Sequence, residues 1–303
     1  MDHRLKASIQ WALSLVPGGM RVNNRLQAIR KMMPDWFLEN KLAVAREMLE
    51  LHAAHASRPF PPGELRSLEI GAGWDLLLPL AMRGCGAGDI HCIDIYPHLD
   101  DRRIADAIAL LRRLDAEGCG KLLPSWPFPS VSGRNEALKS TYGITYSAPC
   151  DARRTEFDAD SFDLFLSYNV MEHIPPQDLD AIHRESFRLL KPGAVAIHHI
   201  DLQDHWAYAT PRRSVHGFLG DGPLAWKLLN PPIHYQNRLR GVEHLASLRS
   251  AGFEIVLQRT QDASAEQLEA LRRPGAVHPD FLKRGSLEEL AVRNLVVVAK
   301  KPG

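Results

Sequence analysis

The residues best suited to chemistry fall in a glycine loop, two acidic strand ends and one histidine-rich segment. Leu68-Glu69-Ile70 reads as the end of a buried strand, and Gly71-Ala72-Gly73 follows it directly. Gly71 is free to take a positive φ, and Gly73 lets backbone approach a ligand. A helix after the loop would turn its free N–H groups toward that ligand. Such a loop serves any nucleotide, but the third glycine of a dinucleotide GxGxxG pattern would fall where Leu76 stands, which argues against NAD. Asp94 closes the run Ile90-His91-Cys92-Ile93-Asp94. It lies about twenty residues beyond the loop, where an acid accepts both ribose hydroxyl protons. Asp151, in Pro149-Cys150-Asp151-Ala152, follows a third strand and is placed to receive an adenine amino group.

The histidine-rich segment runs His198-His199-Ile200-Asp201-Leu202-Gln203-Asp204-His205-Trp206. In a strand, His198 and His199 point to opposite faces, so at most one faces a pocket. Asp201 and His205 are four apart, and one helical turn would join them. A carboxylate orienting an imidazole makes a general base, with His199, Asp201 and His205 the candidates. The plainer alternative has these histidines satisfying backbone groups and Asp201 capping a turn. Residues 206–240 add Trp206, Tyr208, Trp226, His234, Tyr235, Arg238 and Arg240, a set suited to a polar, ring-bearing or anionic small molecule.

The elements that must position these groups are legible. Strands are expected at 66–70, 89–94, 144–149, 162–168, 193–200, 253–259 and 293–299. FDLFLSY and NLVVVA are short apolar runs suited to burial on both faces. Between strands lie helical patterns, the clearest at 176–190, closed by Lys191-Pro192-Gly193. The alternation predicts an α/β fold: a Rossmann-like, doubly wound, mostly parallel seven-stranded sheet. Trp36 to His55 has helical spacing, and the prolines of Arg58 to Glu64 end that helix. Residues 1–60 therefore read as an N-terminal helical cap and 61–303 as the main domain. Three stretches, 117–142, 201–240 and 261–291, read as insertions, with 201–240 a substrate lid.

Glu69-x-Gly71-x-Gly73, Asp94, Asp151-Ala152, FDLFLSYNVMEHI and LLKPGAVAIHHI together resemble, in order, the successive motifs of class I S-adenosylmethionine (SAM)-dependent methyltransferases. The resemblance implies SAM as cofactor. It sets Glu69 near the SAM amino group, Gly71 and Gly73 under the methionine portion, Asp94 on the ribose and Asp151 by the adenine. Ile95, Ala152 and Asn169 complete the implied cofactor contacts. Trp74-Asp75 stands where many members carry a further small residue, so contacts to the methionyl carboxylate are left open. Methyl transfer needs chiefly alignment and exclusion of water, because the sulfonium is already activated. HIDLQDHW with YQNRLR looks like bacterial methyltransferases of secondary-metabolite and glycan pathways, implying transfer to an oxygen or nitrogen of a small polar molecule. Two alternatives remain: a methyltransferase-like binding or scaffold protein without turnover, and a metal-assisted O-methyltransferase. For the latter, Asn169, Glu172 and His173 resemble an ExxEH sequence, but Asn169 replaces its first acid, and no metal ligand set is assigned. Aminopropyl transfer is disfavoured because no strongly acidic loop is present for a polyamine.

Bulk properties narrow the partners. Net charge is +1 over 303 residues, without the basic excess that a general grip on nucleic acid requires. No stretch of about eighteen uncharged apolar residues could cross a membrane. The start, MDHRLKASIQWALSLVPGG, faintly resembles a signal peptide, but Gln10 interrupts its apolar run and no small-residue cleavage site follows. Cys85, Cys92, Cys119 and Cys150 show no CxxC pairing, which fits reduced thiols and a cytoplasmic protein. The expected partner is a small-molecule acceptor, with neither nucleic acid nor membrane. Oligomeric state is left open.

Overall fold

Seven strands form one sheet in the order β3-β2-β1-β4-β5-β7-β6. They are β1 (Arg66–Ile70), β2 (Asp89–Ile93), β3 (Ile144–Ser147), β4 (Phe162–Tyr168), β5 (Leu190–Asp201), β6 (Glu254–Gln261) and β7 (Asn294–Lys300). The computed structural model describes residues 2–19, 22–23, 35–59, 61–115, 118, 123–126 and 133–303. β1 to β5 pair in parallel, and β7 runs antiparallel between β5 and β6. Every strand expected from the sequence is found, and the mostly parallel, doubly wound sheet with them. One boundary differs: Lys191-Pro192-Gly193, read as helix breakers, already belong to β5, with Gly193 at φ 80°.

The helices that matter here are α1 (His3–Ser14), α2 (Asp35–His55), α3 (Leu77–Gly84), α4 (Asp101–Leu114), α5 (Arg134–Tyr142), α6 (Pro176–Leu189), α7 (Pro223–Leu229) and α8 (Gly241–Ser250). β4 shows why its centre, Leu164-Phe165-Leu166, is continuously apolar. Leu164 and Leu166 enter one core with Met48, Leu80, Ile104 and Leu138, while Phe165 enters the opposite one with Leu179, Leu189 and Leu248. A strand covered on both faces has no polar side to alternate with. Helix α4 shows the complementary pattern. Asp100 caps it by accepting from the Arg102 and Arg103 N–H groups, and Ile104, Ala107, Ile108 and Leu111 form the buried stripe.

The N-terminal helices occupy two different places. α2 places Leu42, Val44, Ala45 and Met48 inside the first core. α1 lies against α7, where the Trp11 indole donates to the Leu228 carbonyl at 2.8 Å. The stretch 117–142 falls largely outside the described residues, apart from its last part, α5. Cys92 and Cys150 are free, but Cys85 is disulfide-bonded, which corrects the expectation of four reduced thiols. Sequence spacing is silent on bridges, because a disulfide needs only that two Cα atoms approach to about 5.5 Å in space. No helix among the described residues is long and apolar enough to cross a membrane.

Strand order reverses between β1 and β4, so the loops leaving their carboxyl ends diverge and open a crevice. Both segments singled out for chemistry leave the sheet on that side.

Candidate active site

The glycine loop occupies the crevice. Gly71 has φ 72° and donates its N–H to Ile93 O at 2.9 Å, which ties the loop to the end of β2. A Cβ on Gly71 would come within 2.6 Å of Val170 in the loop after β4. Gly73 has φ 78° and nothing within 4 Å of its absent Cβ, so it borders open space. Leu76, at the position of the missing third glycine, is itself left-handed with φ 53° and precedes α3. Asp75 caps that turn by accepting from the Leu77 N–H at 3.0 Å.

Carboxyl groups surround the loop. Glu69 is 3% exposed, and burial pushes its carboxyl up to about 8 against the pull of Lys41. Burial also raises Asp94, while His98 and the N–H groups of Tyr96, Gly73 and Ile95 favour its anion. Trp74 stacks on His98 with centroids 5.1 Å apart, giving the loop beside Asp94 an aromatic wall. Ile95 is 54% exposed beside it. Asp151 is less available than Asp94, because Arg153 donates to both its oxygens at 2.7–3.1 Å. Ala152 is half-buried next to it.

Lys41 is the group sequence reasoning missed. It lies in α2 next to buried Leu42, and its ammonium sits 3.7 Å from the Tyr168 ring centroid. Burial lowers it to about 8, with Glu69, Asp75 and Glu172 pulling the other way. Asn40, one residue earlier, donates to the Tyr168 hydroxyl at 2.8 Å. A lone lysine on a mostly apolar helix carries no motif, and only the packing of α2 onto the sheet brings it here.

Beyond the loop lies a cleft of about 330 Å³, lined by Asn169, Glu172, His173, Asp201, His205 and His234, among others. Asn169 takes φ 54°, a left-handed turn asparagine tolerates, and its N–H bonds His199 O at 2.9 Å. Asp201 and His205 do meet, with Oδ2 3.3 Å from Nε2. A short 3-10 turn, His205–Tyr208, replaces the α-helical turn expected there. Burial disfavours the Asp201 anion, but His205, the Tyr208 hydroxyl at 2.6 Å and the Gln203 N–H outweigh it and hold the acid below its ordinary range. Gln236 and Asn237 clamp the two cleft loops together. The Gln236 side chain accepts from the His205 N–H at 3.1 Å, and Asn237 donates to Met171 O and Ile174 O, both at 2.8 Å.

His198 and His199 do point to opposite faces. His198 bonds Ser167 Oγ at 2.8 Å inside the second core, and His199 lies 3.4 Å from Glu47 of α2. Burial, helped by Lys41, depresses His199 to about 4. His199 therefore stands on the α2 side of β5, while Asp201 and His205 face the cleft. Four of the residues read as an acceptor surface are structural instead. Trp206 and Trp226 are buried in a satellite core with Phe218 and Phe281. Arg240 donates to Leu202 O at 2.7 Å and Arg238 to Asp221 O at 2.6 Å. Aromatic and guanidinium groups satisfy interior carbonyls as readily as ligands, and composition does not tell the two apart. A larger cavity, 570 Å³, opens at the opposite edge of the sheet around Ser57, Asp163, Lys191 and Gly193, apart from the residues of the glycine loop and the polar cleft.

Residues 39–291 match the methyltransferase domain family, so the chain belongs to that family, as its ordered motifs imply. No curated protein sequence matches the chain. Among solved structures, a SAM-dependent methyltransferase from Methanosarcina mazei is 17% identical, with 80% of this chain and 95% of that one covered and a TM-score of 0.43. One from Mesorhizobium loti is 20% identical, with coverage of 83% and 95% and a TM-score of 0.43. A phosphoethanolamine N-methyltransferase from Haemonchus contortus, in complex with S-adenosyl-L-methionine, is 18% identical, with coverage of 86% and 53% and a TM-score of 0.44.

Proposed function

We propose that this methyltransferase uses SAM and transfers its methyl group to an oxygen or nitrogen of a small polar acceptor held in the cleft of Glu172, Asp201 and His205. The observation that carries this reading is one of position. The glycine loop with Glu69 and Asp94, and the polar cleft, open side by side at the carboxyl edge of one sheet, joined by the Gly71–Val170 contact. The roles follow from chemistry. Buried Glu69 favours a cationic ammonium, and Asp94 offers two acceptors for ribose hydroxyls. Asn169 stands between loop and cleft. Asp201 orients and stabilises the imidazolium of His205 as it takes the acceptor's proton. Lys6 and His234 close the cleft from α1 and from the segment after α7, which supports a lid role for those parts. With net charge +1, a small molecule fits better than a nucleic acid.

Calorimetry with SAM and with NAD tests the cofactor assignment, and an acceptor panel tests turnover. SAM binds and NAD does not. Asp94→Ala loses about 1.5–3 kcal/mol of SAM affinity, the scale of hydrogen bonds to a charged group. Unchanged affinity in a folded Asp94→Ala protein removes Asp94 from the ribose. SAM binding without turnover on any acceptor would favour the binding-protein alternative.

A further inference from the structure

We infer that Arg293, Gln203 and Tyr208 are positioning residues for the base: together they clamp the Asp201 carboxylate so that it takes the Nε2–H of His205, which leaves Nδ1 as the atom that receives the acceptor's proton. The bearing on the reaction rests on the proposed methyl transfer with His205 as base, while the clamp itself does not.

The chain of bonds is continuous. Arg293 Nε donates to Gln203 Oε1 at 3.0 Å. Gln203 Nε2 then donates to the Tyr208 hydroxyl at 3.0 Å and to Asp201 Oδ1 at 3.2 Å. The Tyr208 hydroxyl donates to Asp201 Oδ2 at 2.6 Å, and His205 Nε2 lies 3.3 Å from that same oxygen. Arg293 stands just before β7. It reaches the end of β5 because the two strands pair antiparallel, and Leu202 N–H donates to Arg293 O at 2.8 Å.

Each bond sets the direction of the next. Arginine only donates, so the Gln203 amide turns its oxygen to Arg293 and its NH₂ toward Asp201 and Tyr208. The Tyr208 oxygen accepts from that NH₂ and gives its one hydrogen to Oδ2. The Gln203 backbone N–H adds a bond to Oδ1 at 3.0 Å. Asp201, 6% exposed, is thereby held as an anion that only accepts. The nitrogen facing it must carry the hydrogen, and that nitrogen is Nε2, which is buried. His205 also lines the cleft, and Nδ1 is the atom left for an acceptor. At 3.3 Å the Nε2–Oδ2 contact is an ion-pair distance, longer than the roughly 2.7–2.9 Å of a charged hydrogen bond. It tightens as the ring gains its proton, which favours the transition state over the ground state. As the methyl carbon leaves sulfur for the acceptor atom, His205 Nδ1 takes the proton that atom loses, and the new positive charge lies beside Asp201. The other charged or titratable groups facing this pair are Glu172 and His173 from the loop after β4, Lys6 from α1, His234 from the segment after α7, and Arg240 behind Leu202. His173 is set the opposite way from His205: its Nδ1 lies 2.8 Å from the Tyr235 carbonyl oxygen, so Nδ1 carries its hydrogen.

The test uses the full chain with ¹⁵N-labelled histidine and ¹³C-labelled aspartate, followed by NMR against pH without ligand. His205→Gln and Asp201→Asn assign the signals. With the imidazoles deprotonated, His205 carries its hydrogen on Nε2 and His173, the internal control, on Nδ1. Tyr208→Phe raises the pH at which the Asp201 carboxyl titrates by about one to two units, the worth of one hydrogen bond to a charged group. Gln203→Glu raises it as well. Far-UV circular dichroism reports folding, and if Gln203→Glu does not fold, Tyr208→Phe and Arg293→Gln carry the test. A His205 ring protonated on Nδ1, or an Asp201 titration unmoved in every folded variant, overturns the inference. Turnover of His205→Ala on the acceptor panel is scored separately. Unchanged turnover beside the expected NMR result refutes the base reading and leaves the clamp standing.

Discussion

Gly71→Ala is the most informative single change in the cofactor loop, because the structure assigns its cost to two separable causes. The residue sits at φ 72°, and a methyl there would lie 2.6 and 2.9 Å from the two Val170 methyls. Holding an L-residue in the left-handed region costs about 1–2 kcal/mol. Overpacking against a neighbour costs about 1–3 kcal/mol more, so the single variant should lose about 2–5 kcal/mol in all. Val170→Ala makes room for the new methyl without touching the backbone. In a double-mutant cycle Gly71→Ala/Val170→Ala should recover the overpacking share, a coupling of about 1–3 kcal/mol. Gly73→Ala is the control. It has the same sign of φ, 78°, but no atom within 4 Å. It should cost only the backbone share of stability while its methyl, projecting into the loop, weakens SAM binding. Urea denaturation with a fitted midpoint and slope measures the first quantity, and calorimetry the second. A Gly71→Ala protein within about 0.5 kcal/mol of wild type, the range of an ordinary surface change, would refute the reasoning. So would a cycle with no coupling to Val170.

Burial pushes His183 down to about 4, and it packs beside His198, which burial also lowers. The unfolded chain therefore binds its proton first on acidification. The share of stability from neutral His183 is complete above about pH 6.5 and lost as pH falls toward 4. Buried carboxyls such as Glu69 run in the opposite sense, so the readout is the difference in urea midpoint between wild type and His183→Asn across that window. A difference that stays constant with pH would contradict the buried neutral histidine. Hydrogen exchange should slow in residues 3–14 and 205–234 when SAM and acceptor are both bound, and protection confined to residues 68–95 would remove the lid role.

Local pattern was enough for the sheet. Strands such as β4 and β5 are buried on both faces, so their apolar runs announce themselves without any knowledge of neighbours, and helix α4 carries its stripe and cap within a few residues. The glycine loop and Asp94 were legible for the same reason, since a strand end, a turn and the next strand end are set by short-range geometry. The pairing of Asp201 with His205 was readable from a spacing of four, although the turn that joins them is 3-10.

Other features exist only once the chain is closed. Lys41 enters the site because α2 packs on the sheet, His205 meets Glu172 and His173 because two loops leave adjacent parallel strands, and Gln236 with Asn237 holds those loops together. Arg240 reads as a ligand-binding guanidinium and instead donates to interior carbonyls, because the fold buries it completely. A side chain's type fixes which bonds it is able to make. Which partner it meets depends on contacts between segments far apart in sequence, which only the tertiary structure decides.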